Sequence, residues 1–210
     1  MLFRSPQFVS LPAKKPAGVV RIFVFGESAA MGDPRPAYGF PRQLATLLEN
    51  RHPSNRFEIV NVAMTAINSH AVRAIAEECA QLQGDFWVIY MGNNEVMGPY
   101  GAGGAFGWTP KKTSVVRAGL ALRKSRLYQW LSSLASKSGA NKRAQAPWRG
   151  MEMFMQRQVA PGDSSLKLIY ENFEENAEAI VKAGLDSGAT VLLSTGASNL
   201  KDCQIGRAHV

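Results

Sequence analysis

The chain has 210 residues, of which 46% are hydrophobic and 19% charged, and its formal net charge is +8. This composition excludes disordered and fibrous proteins, and no apolar run approaches the roughly 20 residues that a membrane-spanning helix needs. The two cysteines, Cys79 and Cys203, form neither a disulfide framework nor a metal-ligand spacing. We therefore expect a globular domain whose thiols are buried or incidental.

The positive charge is concentrated in one segment. From Met97 to Met151 there are ten lysines and arginines and no acidic residue, so the rest of the chain is slightly acidic. One interpretation is a solvent-exposed insertion that contains a helix. The alternative is a positively charged rim that attracts anions to a neighbouring site. Because the charge is local, we do not expect nucleic acid as a partner.

Strand and helix patterns alternate from the start of the chain. Residues 1–18 are aperiodic and predict an extended lead-in. The apolar run Ile22–Phe25 is typical of a parallel strand buried on both faces. The next pattern, Tyr38–Asn50, predicts a helix with Pro41 in its first turn and an inward face formed by Phe40, Leu44, Leu47 and Leu48.

A second strand and helix follow, and then a third strand. Phe57–Ala63 predicts the strand, and Asn68 or Ser69 can cap the helix. Phe86–Met91 is the third strand. The inward stripe of the helix consists of Val72, Ile75, Ala76, Cys79 and Leu82.

The pattern is interrupted from about 97 to 165, where a glycine-rich loop precedes a basic amphipathic helix. Alternation resumes with a helix over about Leu166–Leu185, ended by Gly188, and a strand over Thr190–Ser194. Strands that alternate with helices predict a parallel, doubly wound α/β sheet. The inward residues of the last helix are Leu166, Ile169, Phe173, Ala177, Ile180 and Leu185.

Polar residues follow the first three predicted strands. Ser28 comes after the first, residues 61–66 after the second, and Gly92-Asn93-Asn94-Glu95 after the third. The carboxyl ends of parallel strands meet at one edge, where open α/β sheets hold their ligands. Acyl transfer through a serine needs a nucleophile and N–H donors aimed at the developing oxyanion. This edge supplies both kinds of group.

The motifs resemble, in order, those of the SGNH (GDSL-like) serine hydrolases. Gly26-Glu27-Ser28 corresponds to the Gly-Asp-Ser nucleophile motif of that family. Residues 61–66 correspond to its Asn-x-Gly-x-x-Gly loop, and Gly92 to Glu95 correspond to its Gly-x-Asn-Asp motif. The resemblance implies a flavodoxin-like, three-layer αβα sandwich with a parallel sheet, incomplete at the C-terminus, and no cofactor or metal.

The resemblance also implies roles for individual residues. Ser28 would be the nucleophile, and the oxyanion hole would be formed by the N–H groups of Ser28 and Ala66 and by the side-chain amide of Asn94. Ala66 stands where the family has glycine, and it serves if its φ permits. Supporting residues are Gly26, Gly92, Glu27 and Glu95; the two glutamates replace aspartates and are expected to keep the negative charge.

Two stretches resemble a narrower, bacterial branch of the family. They are residues 26–34 (Gly-Glu-Ser-Ala-Ala-Met-Gly-Asp-Pro) and 91–95 (Met-Gly-Asn-Asn-Glu). Proteins of this branch are often joined to tetratricopeptide repeats and anchored in membranes. The resemblance therefore implies a small-molecule or carbohydrate ester as substrate and allows membrane or repeat-domain attachment. The sequence itself assigns no compartment.

The fourth motif of the family, Asp-x-x-His, occurs nowhere in this chain, so the catalytic histidine and aspartate are absent. His52 is expected at an exposed helix end, and His70 either approaches the site or is a plain surface histidine. His209 follows Asp202 by seven residues, whereas the motif requires three. Without a base, a serine is a weak nucleophile.

The ending suggests why the fourth motif is missing. Residues 205–210 match the translation of a common sequencing adapter, and our hypothesis is that they are a non-native tail on a truncated reading frame. Residues 19–204 would then be a partial SGNH hydrolase domain with an insertion at about 97–165. We expect a serine hydrolase of ester bonds that is inactive in this form. The alternatives are an O-acyltransferase to a carbohydrate hydroxyl, or a non-catalytic module that binds an anionic partner through the basic insertion.

Overall fold

The computed structural model describes residues 11–33, 35–102, 111–126, 128–130, 133, 159–160 and 162–196. Its four strands form one parallel sheet in the order β2-β1-β3-β4. This order matches the first four positions of the flavodoxin-like arrangement, which confirms the predicted fold class. The strands are β1 (Val19–Gly26), β2 (Arg56–Asn61), β3 (Phe86–Tyr90) and β4 (Thr190–Ser194).

Helices cover both faces of the sheet. They are α1 (Ser28–Met31), a 3-10 turn (Pro36–Tyr38), α2 (Phe40–Arg51), α3 (Ser69–Cys79), α4 (Thr113–Lys124) and α5 (Ser165–Asp186). Helices α1 and α2 pack on one face, and α3 and α5 pack together on the other, which gives three layers. Helix α4 lies against α3 and α5.

The central strands are apolar on both faces, as the continuous run in β1 predicts. Phe23 and Phe25 face the α3–α5 layer, where they join Trp87 and Ile89 in one buried cluster. Val24 points the other way, into the α1–α2 layer. This two-sided burial is why β1 lacks polar alternation and why it occupies the middle of the sheet.

Two leucines that were expected to face inward are exposed, Leu47 and Leu185, each to 58%. In α2 the smaller Ala45 is buried instead. In α5 the backbone of Gly184 lies so close to the Trp87 indole that an added Cβ would be 2.8 Å from the ring, and Leu185 therefore turns outward. Helical periodicity therefore predicts both helices correctly but assigns Leu47 and Leu185 to the buried face, which is wrong.

A fully buried arginine ties the lead-in to the sheet. The Arg21 guanidinium in β1 donates to Glu58 at 2.6 Å and to the carbonyl of Pro12 at 3.1 Å. Its backbone N–H donates to Asp85 at 2.7 Å, and Asp85 also forms an ion pair with Lys15. Residues 12 and 15 of the lead-in are therefore bonded to the amino-terminal end of the central strands.

Among the described residues, no helix combines the length and the apolar content needed to cross a bilayer. Cys79 is a buried free thiol, as expected. Several predictions fall outside the described residues: those on Cys203, on His209, on the tail 205–210 and on most of the insertion beyond α4.

Candidate active site

The loops after the first three strands lie side by side. Gly26 of β1 is in register with Tyr90 of β3, and Val24 is in register with Asn61 of β2. The pairing of β1 continues past the end of β2, because the N–H of Met64 donates to the carbonyl of Gly26 at 3.3 Å. The candidate residues therefore share the carboxyl edge of the sheet, as predicted.

Gly26 makes the crossing from β1 to α1 possible. A Cβ at this position would overlap the carbonyl oxygen of Tyr90 and would lie 2.6 Å from the Cβ of Ala30. Glycine is thus required by close backbone approach. Ser28 is half-buried at the first residue of α1, and its carbonyl accepts the N–H groups of Gly32 and Asp33, each at 3.0 Å.

Glu27 joins the loop after β1 to the loop after β3. Its carboxylate is 1% exposed and accepts the backbone N–H of Asn94 at 2.9 Å and that of Gly92 at 3.4 Å. Since Glu27 directly precedes Ser28, these bonds fix the distance between the candidate nucleophile and the candidate oxyanion donor.

Asn94 is also bonded to the loop after β2. Its side-chain amide donates to the carbonyl of Ile67 at 2.9 Å, next to Ala66. An asparagine amide carries two N–H donors, and the Ile67 bond occupies one of them. Ala66 has a φ of +61°, in the left-handed region that glycine prefers. Its backbone thus adopts a glycine-type conformation, although the residue is alanine.

Glu95 caps the N-terminus of α3 from another loop. Its carboxylate accepts the backbone N–H of Ser69 at 2.7 Å and the Ser69 hydroxyl at 2.9 Å. The Asn176 amide of α5 in turn donates to the Ser69 hydroxyl at 3.0 Å. Asn68 occupies the N-cap position, as predicted, but its side chain donates to the carbonyl of Pro99 at 2.6 Å instead of capping the helix.

The two glutamates form a coupled buried pair. Burial, followed by the nearby charge of Glu95, raises the pKa of Glu27 to about 7, although the N–H groups of the β3 loop lower it. Burial also raises the pKa of Glu95, opposed by its bonds to Ser69 and to Glu27. Burial therefore makes the pair hold a proton more tightly than two carboxyl groups in water would. The expectation that both residues keep their negative charge stays a prediction, and burial of the two carboxyl groups disfavours the doubly charged state.

His70 is not a surface residue. It is 6% exposed, and its Nδ1 lies 3.0 Å from the Asn176 amide while its ring meets Tyr100 edge-on. Burial, and then the charges of Arg117 and Arg73, lower the pKa of His70 to about 4, so the ring is neutral at pH 7. It belongs to the α3–α5 layer, whereas α1, which starts at Ser28, packs on the opposite face. His52 is exposed at the end of α2, as predicted.

A cavity of about 500 Å³ is lined by residues of α1, the 3-10 turn and β3. Gly32 and Gly39 line it, and their backbones lie so close that a Cβ on Gly32 would be 2.6 Å from the Gly39 Cα. The volume falls in the range of small-molecule sites. The other lining residues are Ala29, Asp33, Arg35, Tyr38, Phe40 and Tyr90.

Metal ligation has no candidate in the described part of the chain, where no group of three or more His, Cys, Asp or Glu side chains is arranged to hold an ion. The polar groups at the carboxyl edge are backbone N–H groups, amides, a hydroxyl and the Glu27–Glu95 pair. The N–H groups, amides and hydroxyl of this set suit the stabilisation of a developing negative charge on oxygen, whereas the two glutamates accept hydrogen bonds that hold the loops.

No family model matches the chain, and no curated protein matches it. The solved structures to which the chain is similar include TesA, with 14% identity over 81% of this chain and 76% of that chain and a TM-score of 0.35. They also include the acetyl xylan esterase AlAXEase, with 12% identity, coverage of 83% and 77% and a TM-score of 0.38. A third is AlinE4, an SGNH-hydrolase family esterase, with 16% identity, coverage of 80% and 98% and a TM-score of 0.34. At these identities and TM-scores the likeness assigns no family.

Proposed function

We propose that the carboxyl edge of the sheet is the acyl-transfer site of a serine hydrolase that acts on esters. The Ser28 hydroxyl oxygen attacks the ester carbonyl carbon and gives up its proton. When the tetrahedral intermediate collapses, the bond from the carbonyl carbon to the alkoxy oxygen breaks, and the alcohol leaves with that proton. Water then releases the acid from the acyl-serine. The N–H groups of Ser28 and Ala66 and the Asn94 amide receive the oxyanion.

The observation that carries this proposal is the double attachment of Asn94. Its backbone is bonded to Glu27, beside Ser28, and its side chain to Ile67, beside Ala66, both at 2.9 Å. One residue thus links the three loops that must cooperate. An oxyanion hole depends on donors held in place before the reaction, and these bonds supply that rigidity.

The motif that would supply the base is missing from this sequence. The sequence has no Asp-x-x-His, and in the part of the chain that the structure describes, the side-chain contacts of His70 are with Asn176 and Tyr100. We therefore propose that the 210-residue chain turns over esters very slowly. An oxyanion hole without its base still accelerates acyl transfer by about 10³ to 10⁴ over water.

The cavity lined by Ala29, the residue after Ser28, favours a small or carbohydrate ester. Tyr38, Phe40 and Tyr90 provide aromatic surface, and Phe40 and Tyr90 meet edge-on at 6.0 Å between ring centres. Asp33 and Arg35 add an acceptor and a fork of donors of the kind that bind hydroxyl groups. An O-acyltransferase would use the same residues, and analysis of products with a sugar acceptor present distinguishes the two activities.

Fluorophosphonate labelling with added imidazole tests the proposal. Imidazole replaces the missing base in solution, so we expect an adduct on Ser28, located by peptide mass spectrometry, that forms faster as imidazole is raised. Ser28→Ala should abolish the adduct. Asn94→Ala should slow it by about 100-fold or more, because one oxyanion donor is lost.

The exposed Ser54 gives the matched control, since Ser54→Ala should leave the labelling rate unchanged. Circular dichroism and urea unfolding establish that each variant is folded. A folded protein that forms no Ser28 adduct at high imidazole would overturn the proposal. Labelling spread equally over exposed serines would overturn it as well.

A further inference from the structure

Helix α4 turns an apolar stripe towards solvent. Val115 is 54% exposed and Leu122 is 56% exposed, and both Ala118 and Gly119 between them are exposed. These four residues stand at positions i, i+3, i+4 and i+7, which is one face of a helix. Within the part of the chain that the structure describes, a Cβ added to Gly119 would meet no atom within 4 Å, so no described residue packs against the stripe there. We call these residues the α4 outer face.

The opposite face of α4 is firmly attached to the domain. Thr113 and Val116 are buried, and both the N–H and the hydroxyl of Thr113 donate to the Asn172 side-chain oxygen, at 3.0 and 2.7 Å. Arg117 adds an ion pair with Glu175 at 3.1 Å. The orientation of the outer face is therefore set by α5 and does not depend on a partner.

Cations stand at both ends of the stripe. Lys111 and Lys112 are exposed just before α4, and Arg126 is exposed just after it. The surrounding sequence from 97 to 151 has ten basic residues and no acidic one. In the helical residues 128–130, Trp130 is 59% exposed. An apolar stripe bordered by cations and followed by an exposed tryptophan has the composition of a helix that lies in a lipid interface.

We propose that the α4 outer face binds the surface of an anionic lipid bilayer, with α4 parallel to the membrane plane. The aliphatic side chains of Val115 and Leu122 enter the boundary between headgroups and acyl chains. The lysines and Arg126 remain at the level of the anionic headgroups. The rest of the domain then stays on the aqueous side.

Other occupants fit the observations less well. The phosphates of a nucleic acid would pair with the cations, but they would leave the stripe of aliphatic side chains exposed to water. A second copy of the chain would bring two strongly basic segments together, and like charges repel. A bilayer of anionic lipid satisfies the apolar stripe and the positive charge at once.

Sedimentation with vesicles tests the proposal. We expect the protein to bind vesicles of phosphatidylcholine and phosphatidylglycerol in equal parts, and to bind pure phosphatidylcholine far more weakly. The double variant Val115→Asn, Leu122→Asn should lower the partition coefficient at least about tenfold. Neutralising Lys111 and Lys112 to glutamine should lower it about tenfold at low salt.

Matched controls lie on other surfaces of the domain. Leu47→Asn changes an equally exposed leucine on α2, and Lys167→Gln with Lys182→Gln neutralises two exposed lysines on α5. These variants and Ser28→Ala should bind vesicles like the parent protein. Three results would overturn the proposal: no binding to the anionic vesicles, binding unaffected by the Val115 and Leu122 changes, or self-association in solution that these changes abolish. Tighter binding to an oligonucleotide than to the vesicles, indifferent to Val115 and Leu122, would assign the cations to nucleic acid instead.

Discussion

The backbone N–H of Asn94 donates to the carboxylate of Glu27 at 2.9 Å, and this bond fastens the loop after β3 to the residue that precedes Ser28. Glu27 is buried, so the bond does not compete with water. Glu27, next to the candidate nucleophile, therefore holds two loops together. Its strength as a hydrogen-bond acceptor depends on whether its carboxyl group carries a proton.

That dependence predicts an effect of pH on stability. Burial and Glu95 raise the pKa of Glu27 in the folded protein to about 7, from 4.5. A carboxyl group with a raised folded pKa holds its proton more tightly when folded. Its contribution is therefore fully present below pH 4.5 and is lost as the pH rises to about 7. The shift corresponds to about 3 kcal/mol.

Glu27→Gln mimics the protonated carboxyl group, so its stability should not fall as the pH rises from 4.5 to about 7. We expect its free energy of unfolding to improve relative to the parent protein between about pH 5 and about pH 8, by up to about 3 kcal/mol. Urea unfolding at constant ionic strength measures the difference. Glu49→Gln, at an exposed position of α2, is the control. A difference that stays constant with pH would contradict the assignment.

His70 should have the opposite effect on the pH dependence of the free energy of unfolding. Burial and two arginines lower its folded pKa to about 4, from 6.5, so its contribution is present above pH 6.5 and is lost as the pH falls towards 4. The variant His70→Asn keeps an acceptor for Asn176 but cannot be protonated. We expect it to gain stability relative to the parent, by up to about 3 kcal/mol, as the pH is lowered from about 7 to about 4.5.

The effects of Glu27 and His70 oppose each other between about pH 4.5 and 6.5, so the pH dependence of the parent protein alone does not separate them. Unfolding of the variants is thus the decisive measurement. His52→Asn, at the exposed end of α2, is the control for the histidine. A His70→Asn variant whose stability runs parallel to that of the parent would show that His70 is not buried in its neutral form.

Gly26→Ala should damage both the fold and the candidate site. The new Cβ would overlap the Tyr90 carbonyl oxygen, and neither backbone can move without separating β1 from β3. We expect a loss of about 3 kcal/mol or more in unfolding free energy, together with loss of Ser28 labelling. Gly119→Ala on α4 meets no atom of the described residues within 4 Å and should instead stabilise the protein by about 0.5 to 1 kcal/mol.

Ala66→Gly should be neutral or stabilising. The φ of +61° strains an alanine but not a glycine, and relief of this strain outweighs the greater freedom of glycine in the unfolded chain. We expect a gain of up to about 1 kcal/mol with labelling of Ser28 retained. Ala66→Val should be destabilising, because a β-branched residue tolerates this φ least. A melting temperature that falls for glycine and rises for valine would exclude the left-handed conformation.

Much of the fold was predictable because its signals are local. Thr190–Ser194 was predicted with the bounds observed for β4, and α5 differs from its predicted range by one residue at each end. The failures occur where packing decides. Leu185 obeys the helical period but is turned out by the contact between Gly184 and Trp87, which lies in a distant strand.

The buried polar network was not predicted, because its members are far apart in sequence. Ser69 and Glu95 are 26 residues apart, and Ser69 and Asn176 are 107 residues apart. One signal was available: Asn172 and Asn176 fall on the inward stripe of α5, at helical spacing from Ile169 and Ile180. Polar residues on an apolar stripe indicate buried hydrogen bonds. Their partners become evident only in the folded chain.

The hydrogen bonds of the buried Arg21 place the start of the folded domain before the first strand, at Pro12 or earlier. A shortened chain that begins at residue 19, where the sheet begins, would remove the Pro12 carbonyl that receives the guanidinium and the Lys15 ammonium that pairs with Asp85. An unpaired donor left inside the protein costs about 1 to 3 kcal/mol. Any fusion joint or affinity tag should therefore be placed upstream of Pro12.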